Sequence, residues 1–242
     1  MKRAAFIATG LLVFSQVATA ASWSLIAFST TPQNAPKVLA AADKLMSSAA
    51  GKQFPGKLLL QVNLADGDNP ATHSFVPIYK TAADREAFLK KLQADSAWAE
   101  FMAVMTKETQ PVSTVLHKTL KSWGEIVDTD HVWEAHAFKV SDPAAFLAAI
   151  DKFMATEMGK KFPGQVYLSE VVAGGVSPVT HVISVGFASE AEMETWENAR
   201  DASPDWTAYL TESRKAGEFL GTNLAQDLKS WGPATLKDIT AR

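Results

Sequence analysis

The hexapeptide Gly51-Lys52-Gln53-Phe54-Pro55-Gly56 returns 108 residues later as Gly159-Lys160-Lys161-Phe162-Pro163-Gly164. Thr72-His73 returns as Thr180-His181, Trp98 as Trp206, and Lys121-Ser122-Trp123-Gly124 unchanged as Lys229-Ser230-Trp231-Gly232, all in the same register. Only the first segment slips. Trp23 and Ala27-Phe28 match Trp133 and Ala137-Phe138 at a displacement of 110, so the loop that follows differs by two residues between copies. Two long matches in one register mark a duplication. A period near 108 exceeds the roughly 20–50 residues of solenoid repeats, so each copy is domain-sized. The copies meet around Glu125 to Asp130, a short polar link without a Gly/Ser tract. Such a link predicts two docked halves, residues 21–126 and 127–242, rather than beads on a string.

The residues ahead of the first copy read differently. Lys2 and Arg3 precede a mostly apolar stretch from Ala4 to Val17, and Ala18-Thr19-Ala20 has the small-x-small pattern of a cleavage site. Residues 1–20 are expected to be a signal peptide, with Ala21 the first mature residue and a periplasmic or secreted destination. The apolar stretch is short of the roughly 20 residues that span a bilayer, and no later segment approaches that length, so no membrane anchor is expected. Beyond this segment, 23 − 2 = 21 basic residues face 26 acidic ones, a net charge near −5. That balance argues against a nucleic-acid partner. Cysteine is absent, which excludes disulfides, thiolate metal sites and a cysteine nucleophile.

Reading both copies at once gives the element order. Ser22 to Ser29 and His131 to Val140 are rich in aromatic and β-favouring residues and predict a first strand. Val38, Leu39, Ala42, Leu45, Met46 and Ala49 follow helical spacing, as do Phe146, Leu147, Ile150, Phe153, Met154 and Met158. Gly51 and Gly159 suit helix ends that use glycine's left-handed conformation, and Pro55 and Pro163 bar resumption. Leu58 to Leu64 and His73 to Tyr79 predict a hairpin around Asp66-Gly67-Asp68-Asn69-Pro70. Val166 to Val172 and His181 to Phe187 repeat it around Gly174-Gly175 to Pro178. A second helix begins near Ala83 and Glu190 and is interrupted at Ser96 and Ser203-Pro204, where serine can cap a new start. The last strand is expected over Thr114 to Lys121 and Thr222 to Lys229.

The order β-α-β-β-α-β, twice, defines an α+β chain of two tandem ferredoxin-like units. Each antiparallel sheet has helices on one face only, and packing the bare faces of two units together would cover them. On this element order and duplication the chain resembles the dimeric α/β-barrel superfamily, which includes antibiotic-biosynthesis-type monooxygenases. The resemblance covers nearly all of the chain beyond the signal and implies a fused pseudo-dimer whose paired sheets form a barrel. No catalytic motif of that family is present, so it implies fold rather than activity.

Strand alternation sorts the candidate site residues. In the last strand Leu116 and Leu120, with Leu224 and Leu228, share one parity and should meet the helices. The other parity carries His117 and Thr119 in one copy, Asn223, Ala225 and Asp227 in the other. In the first strand Glu134, His136 and Phe138 share a parity, with Ser24, Ile26 and Phe28 as counterparts. Were these parities inward, the interior would hold His117, Glu134, His136 and Asp227 among walls that include Phe28 and Phe138. His117 and His136 are the candidate catalytic bases, and Glu134, Asp227, Phe28 and Phe138 candidate ligand contacts. His73 and His181 join the ligand contacts. Their presence in both copies, each after Thr and beside a turn, also suits tying the turn to a neighbouring backbone group. Trp98 and Trp206 fit the core. His131 and His136, five apart, fall on opposite strand faces, and no His-x-x-x-His, phosphate loop or dinucleotide fingerprint occurs, so neither metal nor cofactor is expected.

Three functions follow. A binding module would hold a small, partly apolar molecule in a continuous inter-sheet cavity. A cofactor-independent oxygenase- or isomerase-like enzyme would use a cavity histidine as general base. A protein–protein interaction module would have an interior filled by side chains. A further pairing of the pseudo-dimer into a larger assembly is compatible with all three.

Overall fold

In a computed structural model, described here for residues 21–125, 128–174 and 178–240, each copy folds in the expected order. The first copy comprises β1 (Ser22–Thr30), α1 (Ala35–Ser47), β2 (Lys57–Ala65), β3 (His73–Tyr79), α2 (Ala82–Gln93), α3 (Ser96–Glu108) and β4 (Thr109–Gly124). The second comprises β5 (Val132–Val140), α4 (Pro143–Met154), β6 (Gln165–Gly174), β7 (His181–Phe187), α5 (Glu190–Asp201), α6 (Pro204–Ala216) and β8 (Gly217–Trp231). A short helix α7 (Leu236–Thr240), not foreseen in the sequence, follows β8. The expected signal segment, the copy boundary at 126/127 and Gly175 of the second turn lie outside the described residues. Among the described residues no helix is long and apolar enough to cross a membrane.

The eight strands form one closed antiparallel barrel in the order β1-β3-β2-β8-β5-β7-β6-β4. The sheets do not stack face to face. They join edge to edge, β2 with β8 and β4 with β6, so backbone hydrogen bonds run across both copy boundaries and, among the described residues, no strand edge is left open. This is why β4 and β8, at 16 and 15 residues, outrun the expected strands. Their first halves pair with β1 or β5 of their own copy and their second halves with β6 or β2 of the other.

Helices cover the outside, and each copy has its own core there. One core gathers Phe28, Val38, Leu45, Phe75 and Phe88. The other gathers Phe146, Phe153, Leu168, Phe187 and Trp196. Ser203 caps α6 by accepting from the Asp205 N–H, with Pro204 at the first helical position. In the first copy the cap of α3 is Asp95, whose carboxylate accepts from Ala97, rather than Ser96.

The duplicated motifs are the clasps of this closure. The Trp123 indole N–H donates to Asp151 Oδ1 on α4 at 2.8 Å, and Trp231 donates to Asp43 Oδ1 on α1 at 2.9 Å. Each Ser-Trp-Gly thus grips a helix of the other copy. Gly124 (φ 81°) and Gly232 (φ 107°) are left-handed, and a Cβ on either would sit 2.1 Å from the carbonyl oxygen of Gly164 or Gly56 in the opposing Phe-Pro-Gly. Gly51 and Gly159 are not left-handed as expected. They begin short 3-10 turns, and glycine is required because a Cβ would meet the Leu45 or Phe153 carbonyl oxygen at 2.1 or 2.2 Å.

Candidate functional site

The barrel encloses a cavity of about 290 Å³, so side chains do not fill the interior as an interaction module would require. Its walls are apolar, among them Leu25, Leu59, Val76, Val115 and Val182, and among the described residues no lysine or arginine lines it. At one end Trp133 and Tyr167 pack with Leu236 of α7 and Ile78 to form a floor. The Leu236 N–H is held by Asp128 Oδ1 at 3.2 Å. The lining reaches Asp66 and Asn69 of the β2–β3 turn at the other end.

Inward positions on β1 and β5 are Trp23, Leu25, Ala27 and Trp133, Ala135, Ala137. His117 on β4 faces the same space. It is 3% exposed, and its imidazole stacks on the Trp23 ring at 3.9 Å between centroids with the planes 8° apart. Among the described residues its Nδ1 has no hydrogen-bond partner, and burial pushes its pKa down to about 4. Near neutral pH the ring is therefore uncharged, a neutral hydrogen-bonding group among apolar walls. Ser74, also inward, has a buried hydroxyl without a partner among the described residues. The Trp23 indole N–H donates to Ser169 Oγ at 3.2 Å, and that hydroxyl donates to Thr119 Oγ1 at 3.4 Å.

The pseudo-symmetric station is built differently. Trp133 is the counterpart of Trp23, Asp227 of Thr119, Gln61 of Ser169 and Ala225 of His117. Asp227 Oδ1 accepts from Gln61 Nε2 at 2.9 Å and Oδ2 from the Trp133 indole at 3.3 Å. Burial raises the Asp227 pKa to about 6, against the lowering effect of those two hydrogen bonds and of the nearby His131 and Lys57.

His117 and Asp227 thus lie on the inward parity, as expected. The first-strand parity is the reverse of the expected one. Phe28 and Phe138 pack beneath the helices, Phe138 against Phe146 at 4.9 Å. His136 is on that outer side too, bonded to Thr222 Oγ1 at 2.8 Å. Glu134 borders the cavity at its strand position, but its buried carboxylate turns to the side of His136, with Oε2 3.6 Å from Nε2. The reason is that both faces of this barrel are largely apolar, so alternation carries no inside–outside signal and an error of one residue inverts the reading. Trp23, Trp133, Gln61 and Ser74 were missed for the same reason. The signal that could have found them is the pairing of Trp23 with Trp133 on the parity that carries Ala27 and Ala137.

His73 and His181 also face outward and take the turn-tying place. Each Nδ1 bonds its neighbour, Thr72 or Thr180 Oγ1, at 2.9 and 3.0 Å. Those hydroxyls in turn accept the backbone N–H of Thr30 and Val140. Among the described residues no three or more His, Asp or Glu side chains are placed to hold a metal ion.

No family model matches the chain, and no curated protein matches it. Solved structures do. A protein of Lactobacillus acidophilus NCFM named as a candidate monooxygenase superposes with a TM-score of 0.64 at 12% identity, over 90% of this chain and 98% of that one. An anthrone oxidase-like protein gives 0.55 at 14% identity, over 93% and 97%. A chlorite dismutase from Candidatus Nitrospira defluvii, solved with imidazole, gives 0.50 at 12%, over 86% and 91%. The likeness is one of fold, and the fold is the dimeric α/β barrel, here fused into a single chain.

Proposed function

We propose that the barrel interior binds a small, uncharged, largely apolar molecule, with His117 as its main polar contact. The observation that carries this reading is the buried imidazole, stacked on Trp23 in an apolar cavity of about 290 Å³. That volume lies at the lower edge of ordinary ligand sites. The described lining holds no lysine or arginine and so offers a carboxylate or phosphate no counter-charge. Part of the proposal is that residues 1–20 direct export, placing this activity in the periplasm or outside the cell; a native N-terminus at Met1 would overturn that part.

A second reading, a cofactor-independent oxygenase- or isomerase-like enzyme, is favoured by the fold shared with proteins named as a candidate monooxygenase and as anthrone oxidase-like. His117 would be its base. A conjugate acid near pKa 4 makes imidazole a reluctant proton acceptor, so binding ranks ahead unless the substrate carries an unusually acidic proton.

Native mass spectrometry of protein purified from its own source tests the binding reading. A non-covalent mass should accompany the wild-type chain, be lost when Ala225→Leu fills the cavity, and be reduced in His117→Ala. Equal retention by both variants would move the ligand out of the barrel. Turnover of the recovered molecule that depends on His117 would shift the reading to the enzyme.

A further inference from the structure

A second cleft, of about 250 Å³, lies on the outside of the barrel between α1 and the sheet. Its lining includes Phe28, Pro32, Val38, Leu39, His73 and Leu228. The second copy shows what such a place looks like when it is filled. The sequences of α1 and α4 align without a gap, and Val38 corresponds to Phe146, Phe28 to Phe138, His73 to His181 and Leu228 to Leu120. Phe146 is fully buried, with its ring 4.9 Å from Phe138 and 6.4 Å from His181. In the first copy valine stands there, and Phe28 and His73 face each other at 5.8 Å, 17° from parallel. Leu120 packs into its core, whereas Leu228 is 51% exposed beside the cleft.

A second difference falls at the same spot. The β1–α1 loop, residues 31–34, is two residues longer than the β5–α4 loop, residues 141–142. The longer loop carries Pro32 to the rim of the cleft. A smaller core residue and an insertion thus coincide at one station of one copy. A close-packed protein rarely leaves apolar space unfilled, and dry apolar cavities accept small apolar guests.

We infer that this cleft is a second binding site, for a neutral molecule presenting one benzene-sized ring, which takes the place that the Phe146 ring holds in the other copy. The ring would meet Phe28 and His73 as Phe146 meets Phe138 and His181. Among the described residues His73 is the only titratable side chain of the lining, and burial lowers its pKa, so these residues offer no counter-charge to an ionic ligand. The inference does not depend on the barrel cavity.

Toluene, titrated while methyl NMR signals are followed, separates the two sites. Saturable shifts are expected at Val38, Leu39, Leu60 and Leu228, whereas Leu25, Leu59 and Val76 report the barrel. Val38→Phe should abolish the first set and spare whatever occurs in the second. If Val38→Phe does not fold, Val38→Leu should weaken the outer binding about tenfold, as one methylene does in an apolar pocket. Shifts confined to the barrel methyls, or outer shifts indifferent to residue 38, overturn the inference. So does a dependence of the outer methyl signals on protein concentration without toluene, which would make a second copy of this chain the occupant.

Discussion

The barrel has two seams, where β4 meets β6 and where β8 meets β2, and they are alike in frame and unlike in chemistry. Both are closed by the same clasp of Ser-Trp-Gly on Phe-Pro-Gly, and both place a tryptophan inside. Along the first seam Trp23 bonds a pair of hydroxyls and stacks on a neutral imidazole. Along the second Trp133 bonds a carboxylate whose proton is held to about pH 6, and alanine stands where the imidazole would be. Duplication supplies two equivalent frames. A ligand bound as proposed in the shared interior would touch both, which would let the side chains inside diverge while the clasps outside stay alike.

The frames should therefore fail alike. Gly124→Ala and Gly232→Ala each force a Cβ to 2.1 Å from a carbonyl oxygen and a non-glycine residue into positive φ. Each should cost about 3–4 kcal/mol, read as the shift of a denaturant unfolding midpoint. A loss at Gly232 well below that at Gly124 would mean that the two seams do not bear equal load, and the comparison would lose its common frame.

That frame was legible in the sequence because clasps need particular residues. Glycine at a forbidden contact and tryptophan with a fixed acceptor leave a repeated signature, and element order follows from periodicity. The site was half legible. His117 and Asp227 sit on strands whose outward leucines, Leu116 and Leu224, betray the parity. On β1 and β5 both faces are apolar, so alternation puts Glu134 and His136 inward and leaves Trp23 and Trp133 as a repeat match only, with no sign that they line the interior. The joining of sheets by their edges was also hidden, since the hydrogen bonds that close a barrel leave no mark on side-chain pattern.

The interiors, in contrast with the frames, should respond to pH with opposite signs. His117 has its pKa lowered from 6.5 to about 4, so the unfolded chain binds the extra proton between those values, and stability from this group rises as pH rises through that window. Asp227 has its pKa raised from 3.8 to about 6, so the folded chain binds the extra proton, and stability from this group falls as pH rises through nearly the same window. Each effect is about 3 kcal/mol, and in the wild type they largely offset. Asp227→Asn should unmask the rising slope, gaining stability above pH 6 and little below pH 4. His117→Phe, which keeps a ring on Trp23, should unmask the falling one and gain most near pH 4. Unfolding midpoints at pH 4, 5 and 7 decide this, and two variants with slopes of the same sign would break the contrast between seams.

The smallest effect isolates the tryptophan bonds. Trp23→Phe and Trp133→Phe remove similar ring volume and one indole N–H each. Trp133 donates to a carboxylate, a bond worth about 1.5–3 kcal/mol, and Trp23 to a hydroxyl, worth about 0.5–1.5 kcal/mol. At pH 7 Trp133→Phe should therefore be the costlier by about 1 kcal/mol. Packing alone could produce a difference of that size, because Trp133 also rests on Tyr167 and Leu236. Packing does not titrate near pH 5. If the charge on Asp227 is the cause, the gap between the two variants narrows as pH falls through about 6 and is closed by pH 4, where Asp227 in the folded chain is protonated. A gap that stays constant from pH 4 to pH 7 would assign the difference to the floor of the barrel and leave the two indoles equivalent as donors.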